Sequence, residues 1–371
     1  MVRLMARDFA RKELEPEAAR RDKEEIFPTE VVKKMGQLGL LGMMVPVEYG
    51  GVGASTVSYC LALQEIAYSC ASTAVTMSVA NLSTEPLLKF GNEAQKAKYL
   101  FGLAQGELLG CFALTEPNAG SDPGSLSIKA EDKGDHYLIN GTKIFITHGQ
   151  YADVVNLITR TATEKGSKGL SAFIVEKGTP GFSIGTREDK MGLRASNTVE
   201  LLFDDCRVSK ENLIGKEGLG FKIAMTALDC GRIGIASQAI GIIRACLDES
   251  IKYAKERKQF GKTISSFEAI QWMIADMATG IEAANLLTLS AAWRKDKDMP
   301  FTKEASMAKL FASELANKSA YLALQIHGGY GYLKNFKVER LYRDARATSI
   351  YEGTSEIQRL VIARELLKDQ N

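Results

Sequence analysis

One carboxylate in this chain stands where proton chemistry could use it. Near the C-terminus the residues run Tyr351-Glu352-Gly353-Thr354-Ser355-Glu356-Ile357-Gln358, which places Glu352 on a short loop directly before a helix. The helix is read from Ser355 with Gln358 three residues on, a capping box, and from Ile357, Leu360 and Val361 at helical spacing. Glu352 then lies outside the first turn, free to project, and reads as a candidate base. The plain alternative is a solvated charge favoured by the helix dipole. Four other segments bear on the choice. Residues 115–122, TEPNAGSD, form a turn-rich loop whose N–H groups and hydroxyls could hold a polar ring or a phosphate. Phe145-Ile146-Thr147 ends a strand where an aromatic and a hydroxyl could meet a flat cofactor. Arg257-Lys258-Gln259-Phe260-Gly261 follows a long helix and offers a guanidinium to a phosphate. Gln325-Ile326-His327-Gly328-Gly329-Tyr330-Gly331 is a glycine-rich helix end where backbone can approach a ligand closely. Taken singly, these are more often a loop, a core Phe, a basic residue serving a dipole and a helix cap.

Other chemistries lose their usual signatures. The chain has no G-x-x-x-x-G-K-[ST], no strand followed by G-x-G-x-x-G, no H-E-x-x-H and no G-x-S-x-G. With only His136, His148 and His327, and six scattered cysteines lacking a C-x-x-C, neither a metal site nor a disulfide framework is expected. The cysteines read as buried thiols in a reducing compartment. Lys plus Arg number 47 against 45 Asp plus Glu, so no nucleic-acid or anionic-membrane partner is implied. No apolar run is read as spanning a bilayer, and the opening MVRLMARDFARKELEP reads as a surface helix because Asp8, Glu13 and Glu15 disfavour a transit peptide.

A chain of 371 residues calls for two or three domains to hold these segments. Residues 1–110 read as helices, with Val31, Val32, Met35, Leu38 and Leu41 as one apolar stripe and residues 56–68 as another helix. Residues 111–216 read as short strands. Within them, residues 136–139, Asn140-Gly141 and residues 143–147 predict a hairpin with a type I′ turn, and residues 154–159, 171–175 and 198–203 predict further strands. Residues 217–371 are again helical, around 220–257, 264–294 and 302–327. The outline is an α+β multidomain protein, a β region between two helical ones.

In this order and at these separations, TEPNAGSD, FIT, ALDCGRIGIA, ERKQFGK, QIHGGYGY, VERLYRDAR and IYEGTSEIQRL resemble the acyl-CoA dehydrogenase family, most closely its bacterial short-chain, butyryl-CoA-type members. The resemblance runs over essentially the whole chain. It implies an N-terminal helical domain, a middle β domain, a C-terminal four-helix bundle and a homotetramer binding FAD. On the matching positions, Phe112, Leu114, Thr115, Gly120, Ser121, Phe145, Ile146 and Thr147 would surround the flavin. Arg257, Phe260, Gln325, Gly328 and Gly329 would hold adenosine and pyrophosphate across a subunit boundary, with Thr354, Ser355 and Glu356 completing the site. Ser121, Asp229, Arg232 and Gly353 would contact acyl-CoA. Glu352 would remove the α proton while a hydride leaves the β carbon for the flavin, its own N–H helping to bind the thioester oxygen. Desolvation should raise the pKa of this base against the pull of the helix dipole. Isovaleryl-type relatives carry their base at the position matched by Gly231, which here has no carboxylate.

The resemblance also implies an acyl-CoA substrate that is short, branched or cyclic. Ala74, matched to an arginine of glutaryl-type members, disfavours a dicarboxylic one, and residues 77–86 would line the acyl pocket. An electron-transferring flavoprotein would be the partner, in the bacterial cytoplasm or, in a eukaryote, the mitochondrial matrix. Glu268 departs from a common Gln near FAD, and His148 from a common Asn, read as a surface turn residue. An acyl-CoA oxidase, or a non-catalytic acyl-CoA-binding scaffold of the same fold, is the competing reading.

Overall fold

The computed structural model describes residues 1–162 and 166–368. Helix α1 (Val2–Phe9) and the π turn after it bury Ala6, Phe9, Ala10 and Leu14 at helical spacing. Helices α2 (Ala18–Glu24), α3 (Thr29–Gln37), α4 (Thr56–Ser69), α5 (Ala71–Phe90) and α6 (Glu93–Gln105) follow. Ser55 caps α4, and a reciprocal Asn92/Gln95 capping box opens α6. The apolar stripe of α3 ends sooner than its sequence pattern suggests. Leu38 lies just past the helix and is exposed, whereas Leu40 and Leu41 turn inward after Gly39 takes a left-handed φ of 72°.

Strands β1 (Gly110–Ala113), β2 (Lys129–Asp132), β3 (His136–Thr147), β4 (Val154–Arg160), β5 (Leu170–Glu176), β6 (Phe182–Arg187), β7 (Thr198–Ser209) and β8 (Leu213–Ile214) form one sheet. Its order is β6-β7-β3-β2-β4-β5-β8, with β1 added parallel to β4. The expected hairpin is absent. Residues 136–147 are one strand paired with β7 along its length, and Asn140-Gly141 lies opposite a bulge in β7. Asn140 exchanges hydrogen bonds with Asp205, the left-handed residue of that bulge, so the Asn-Gly pair serves a bulge instead of a turn.

The 37-residue α7 (Gly220–Glu256), a small ribbon of β9 (Lys258–Gln259) and β10 (Lys262–Thr263), α8 (Glu268–Asp296), α9 (Thr302–His327), α10 (Lys337–Ala347) and α11 (Ser355–Leu366) complete the chain. Contrary to the sequence reading, α7 is long and apolar enough to cross a membrane by composition, but 89% of its apolar stretch is buried inside the fold. It is the central core helix, packed against α4, α5, α8 and α9. All six cysteines are buried and free.

Candidate active site

Glu352 and Gly353 both adopt left-handed backbone, with φ of 54° and 87°. That is a strained choice for a glutamate, held only where surrounding bonds enforce it. Three donors do so. Gln358 Nε2 donates to the Glu352 carbonyl at 3.1 Å and to the Gly353 carbonyl at 2.9 Å, and Lys309 Nζ donates to the Gly353 carbonyl at 2.7 Å. The capping box read from the sequence is therefore corrected. Thr354 caps α11 by accepting from the Ile357 N–H, Ser355 Oγ donates to Glu314, and Gln358 is spent on the carbonyls of the loop. Glu356 is exposed in the first turn.

The Glu352 carboxylate turns inward. Its Oε2 is fully enclosed without a hydrogen-bond partner, and its backbone N–H finds no acceptor among the described residues. Burial pushes its pKa up to about 7 against the opposing charges of Arg232 and Lys309. Opposite it on α7 stands Gly231, where an added Cβ would lie 2.4 Å from Oε2 and 2.6 Å from Leu82 Cδ1 of α5. Any side chain at 231 would take the space of the carboxylate. Arg232 is buried, with Nη1 donating to Asp229 at 2.6 Å and to Ser306 at 3.3 Å while Nε stays unpartnered. Asp229 also accepts from Thr302, and burial pushes its pKa up. The structure thus gathers Glu352, Gly353, Asp229 and Arg232, and adds Leu82, Lys309 and Gln358.

A second group of residues lies on the sheet. A bulge in β3 detaches Ile144 from β7, its N–H going to the Thr115 carbonyl, and leaves Phe145 left-handed at φ 58° and 60% exposed. Thr147, two residues on, pairs with Thr198. The neighbouring loop is fixed from beneath: fully buried Lys143 donates to the Leu114 carbonyl at 2.7 Å and to Glu116 at 2.9 Å, and Glu116 also accepts from Ser127 and Ile128. Gly120 and Ser121 at its tip are exposed, Phe112 and Thr115 are partly covered, and Leu114 and Ile146 are buried. His148 is not a surface residue. It is fully buried, its Nε2 donates to the Gly110 carbonyl at 2.7 Å, and burial pushes its pKa down to about 4.

The family descriptions acyl-CoA dehydrogenase N-terminal, middle and C-terminal domain match residues 1–107, 111–206 and 218–367. The chain belongs to the acyl-CoA dehydrogenase family. It is 53% identical to the mitochondrial short-chain specific acyl-CoA dehydrogenase of Rattus norvegicus over 99% of this chain and 90% of that one. The butyryl-CoA dehydrogenase of Megasphaera elsdenii superposes with a TM-score of 0.97 at 44% identity, covering 99% of this chain and 97% of that one. A chain from a structure of the electron transferring flavoprotein of Acidaminococcus fermentans, concerned with flavin-based electron bifurcation, reaches 0.98 at 48% identity, covering 100% and 97%.

The remaining candidate residues of this acyl-CoA dehydrogenase family member lie elsewhere. Arg257, Gly328 and Gly329 line a cavity of about 480 Å³ with Tyr253, His327 and Tyr330, and the Arg257 guanidinium lies 5.4 Å from the centre of the Tyr330 ring. Gln325 is exposed nearby on α9, and Phe260, at the tip of the β9–β10 ribbon, is 91% exposed at φ 52°. Nineteen residues of α9 and its end separate Lys309 from Gly328, roughly 28 Å at the helical rise. One protomer does not bring the two groups together. Glu268 is exposed at the start of α8.

The residues fit FAD in three respects. Phe145 and Phe260 are aromatic residues held outward at strained backbone positions, the partly covered Thr147 lies two residues beyond Phe145 on the same strand, and Arg257 edges a cavity that Gly328 and Gly329 also line. Lys309, the loop role of Gln358 and the Glu116–Lys143 pair escaped the sequence reading. For Lys309 a signal existed, since it interrupts a run of alanines at core spacing.

Proposed function

We propose that the chain catalyses FAD-dependent α,β-dehydrogenation of a short-chain acyl-CoA to the 2-enoyl-CoA, with Glu352 as the base that takes the α proton. The carrying observation is the buried, unpartnered Oε2 of Glu352, aimed at the space left by Gly231, on a loop whose Glu352 N–H is free. A proton α to a thioester is weakly acidic, so both a desolvated base and a donor to the developing enolate oxygen are needed. Glu352 supplies the first through Oε2 and the second through its N–H. With its pKa pushed up to about 7 by burial, the carboxylate is both ionised in part at neutral pH and more basic than an exposed one. Bound FAD supplies the acceptor for the β hydride.

The short-chain reading rests on the relatives named for short-chain and butyryl substrates; branched and cyclic acyl groups remain within it. An electron-transferring flavoprotein is the partner it implies, supported by the likeness to the Acidaminococcus chain. A homotetramer is supported by the exposed Trp272, Leu286 and Trp293 of α8 and Phe311 of α9, and by the separation of the two halves of the cofactor site within one protomer. Anaerobic bleaching of the flavin by straight, branched, cyclic and dicarboxylic acyl-CoAs, run beside Glu352→Gln, tests the reading. Bleaching of wild type by a short acyl-CoA, with a variant that binds it unbleached, is the expected result. Equal bleaching by the variant defeats the assignment of the base.

A further inference from the structure

The inward face of α9 carries Ala305, Ala308, Ala312, Ala316, Ala320 and Ala323, all at 0% exposure, and Lys309 stands among them, equally buried. A lysine in such a place is costly unless its charge is used. It forms no ion pair within 4.0 Å among the described residues, and its one hydrogen bond goes to the Gly353 carbonyl at 2.7 Å. That carbonyl is already satisfied by Gln358 at 2.9 Å, so backbone satisfaction alone does not require a lysine. The charges that face Lys309 are Glu352 on the loop, Arg232 on α7, Glu314 on its own helix and Glu356 on α11. Glu314 is engaged by Ser355, and Glu356 is exposed. The enclosed carboxylate of Glu352 is the one buried anion of the group.

We propose that Lys309 is a positioning residue for the Glu352 base, locking the left-handed Glu352–Gly353 turn through the Gly353 carbonyl and keeping the carboxylate ionised between turnovers. The proposal rests on the reading of Glu352 as the base. Burial works against both groups: it pushes Glu352 up to about 7 and Lys309 down to about 8, while each charge favours the other. Below pH 8 the ammonium is present, and without it Glu352 would hold its proton to higher pH and start each turnover in the wrong state. Once the α proton has moved to Oε2, Lys309 and Arg232 face a neutral acid, which favours returning that proton after product leaves. Arg232 shares the electrostatic part but not the clamp, because its donors go to Asp229 and Ser306.

Two substitutions separate the parts. Lys309→Met removes bond and charge at similar length, and Lys309→Gln offers a donor without charge. Both holoenzymes are assayed for kcat and KM across pH, and for exchange of the substrate α proton with deuterated water, which reads proton removal apart from hydride transfer. For Lys309→Met the expected result is kcat lower by about tenfold, KM within about threefold, and an acidic limb of the rate profile moved to higher pH by about one pH unit. Lys309→Gln should recover part of kcat at high pH while keeping the displaced limb. Profiles and exchange rates within twofold of wild type, with Glu352→Gln inactive, overturn the proposal and leave the base standing. Loss of fold or of bound FAD in both variants assigns Lys309 to packing and overturns it equally. Turnover by Glu352→Gln defeats the reading of the base itself.

Discussion

Glu116 is buried against the buried Lys143, and Glu352, partly covered with its Oε2 enclosed, faces the buried Lys309; the two glutamates have opposite properties. Burial pushes Glu116 up, but Lys143 and the Ser127 donors more than reverse that, holding it below the usual carboxylate range. Every oxygen of Glu116 is hydrogen-bonded. Burial pushes Glu352 up as well, and Arg232 and Lys309 bring it back only to about 7, because neither touches Oε2. A saturated carboxylate is a fastener that keeps a loop in place. An unsaturated one, enclosed and facing a glycine, has an unused lone pair, and evolution leaves such a cost unrelieved where a ligand will meet it.

The largest expected effect breaks the comparison at its functional end. Glu352→Gln should lower flavin reduction by an acyl-CoA by about 10³-fold, read by anaerobic stopped flow, while binding persists. At the structural end, Glu116→Gln strands the buried Lys143 and should destabilise the fold by about 3–5 kcal/mol, read by denaturant unfolding of the holoenzyme. An unchanged midpoint would show that the pair is not a fastener.

The pH dependence sharpens the contrast, since the two signs differ. Glu352 is raised in the folded protein, so its stabilising contribution is present below its ordinary value of 4.5 and is lost as pH rises through about 7. Glu116 is lowered, so its contribution is present above 4.5 and lost as pH falls. Glu352→Gln should therefore stabilise the protein by about 1–3 kcal/mol at pH 8 and by little at pH 4, whereas Glu116→Gln should cost most at neutral pH. Melting curves of both variants across pH check the opposite slopes. The smallest effect concerns the space opposite Glu352. Gly231→Ala places a methyl 2.4 Å from Oε2, and kcat should fall by about tenfold with the fold intact. Wild-type turnover in that variant would mean that the carboxylate does not need its observed position.

Much of this was legible in the chain. The helical and β regions followed from the periods of apolar residues, and α9 spans the predicted residues 302–327. Glu352, Thr147 and Arg257 were named as candidates from the residue types of their motifs, and Gly353 from the resemblance. Where the reading failed, a local pattern had two uses. Asn140-Gly141 can close a hairpin or face a bulge, and only the partner strand β7, some 60 residues on, selected the bulge. Ser355 and Gln358 match a capping box, but the demand for donors on the Glu352 loop claimed Gln358. His148 follows a strand end and looks like a turn residue; the Gly110 carbonyl that holds it inside belongs to β1.

By itself the sequence determined the family and the order of helical and β regions, and it named Glu352 as the candidate base, because these readings depend on residue types and their local spacing. Only the tertiary structure decided that Oε2 of Glu352 is enclosed opposite Gly231, that Lys309 reaches Gly353 from another helix, and that Glu116 is saturated where Glu352 is not. Burial and the count of available donors are set by segments distant in the chain, and it is these two quantities that fix whether a buried carboxylate holds a structure together or accepts a proton.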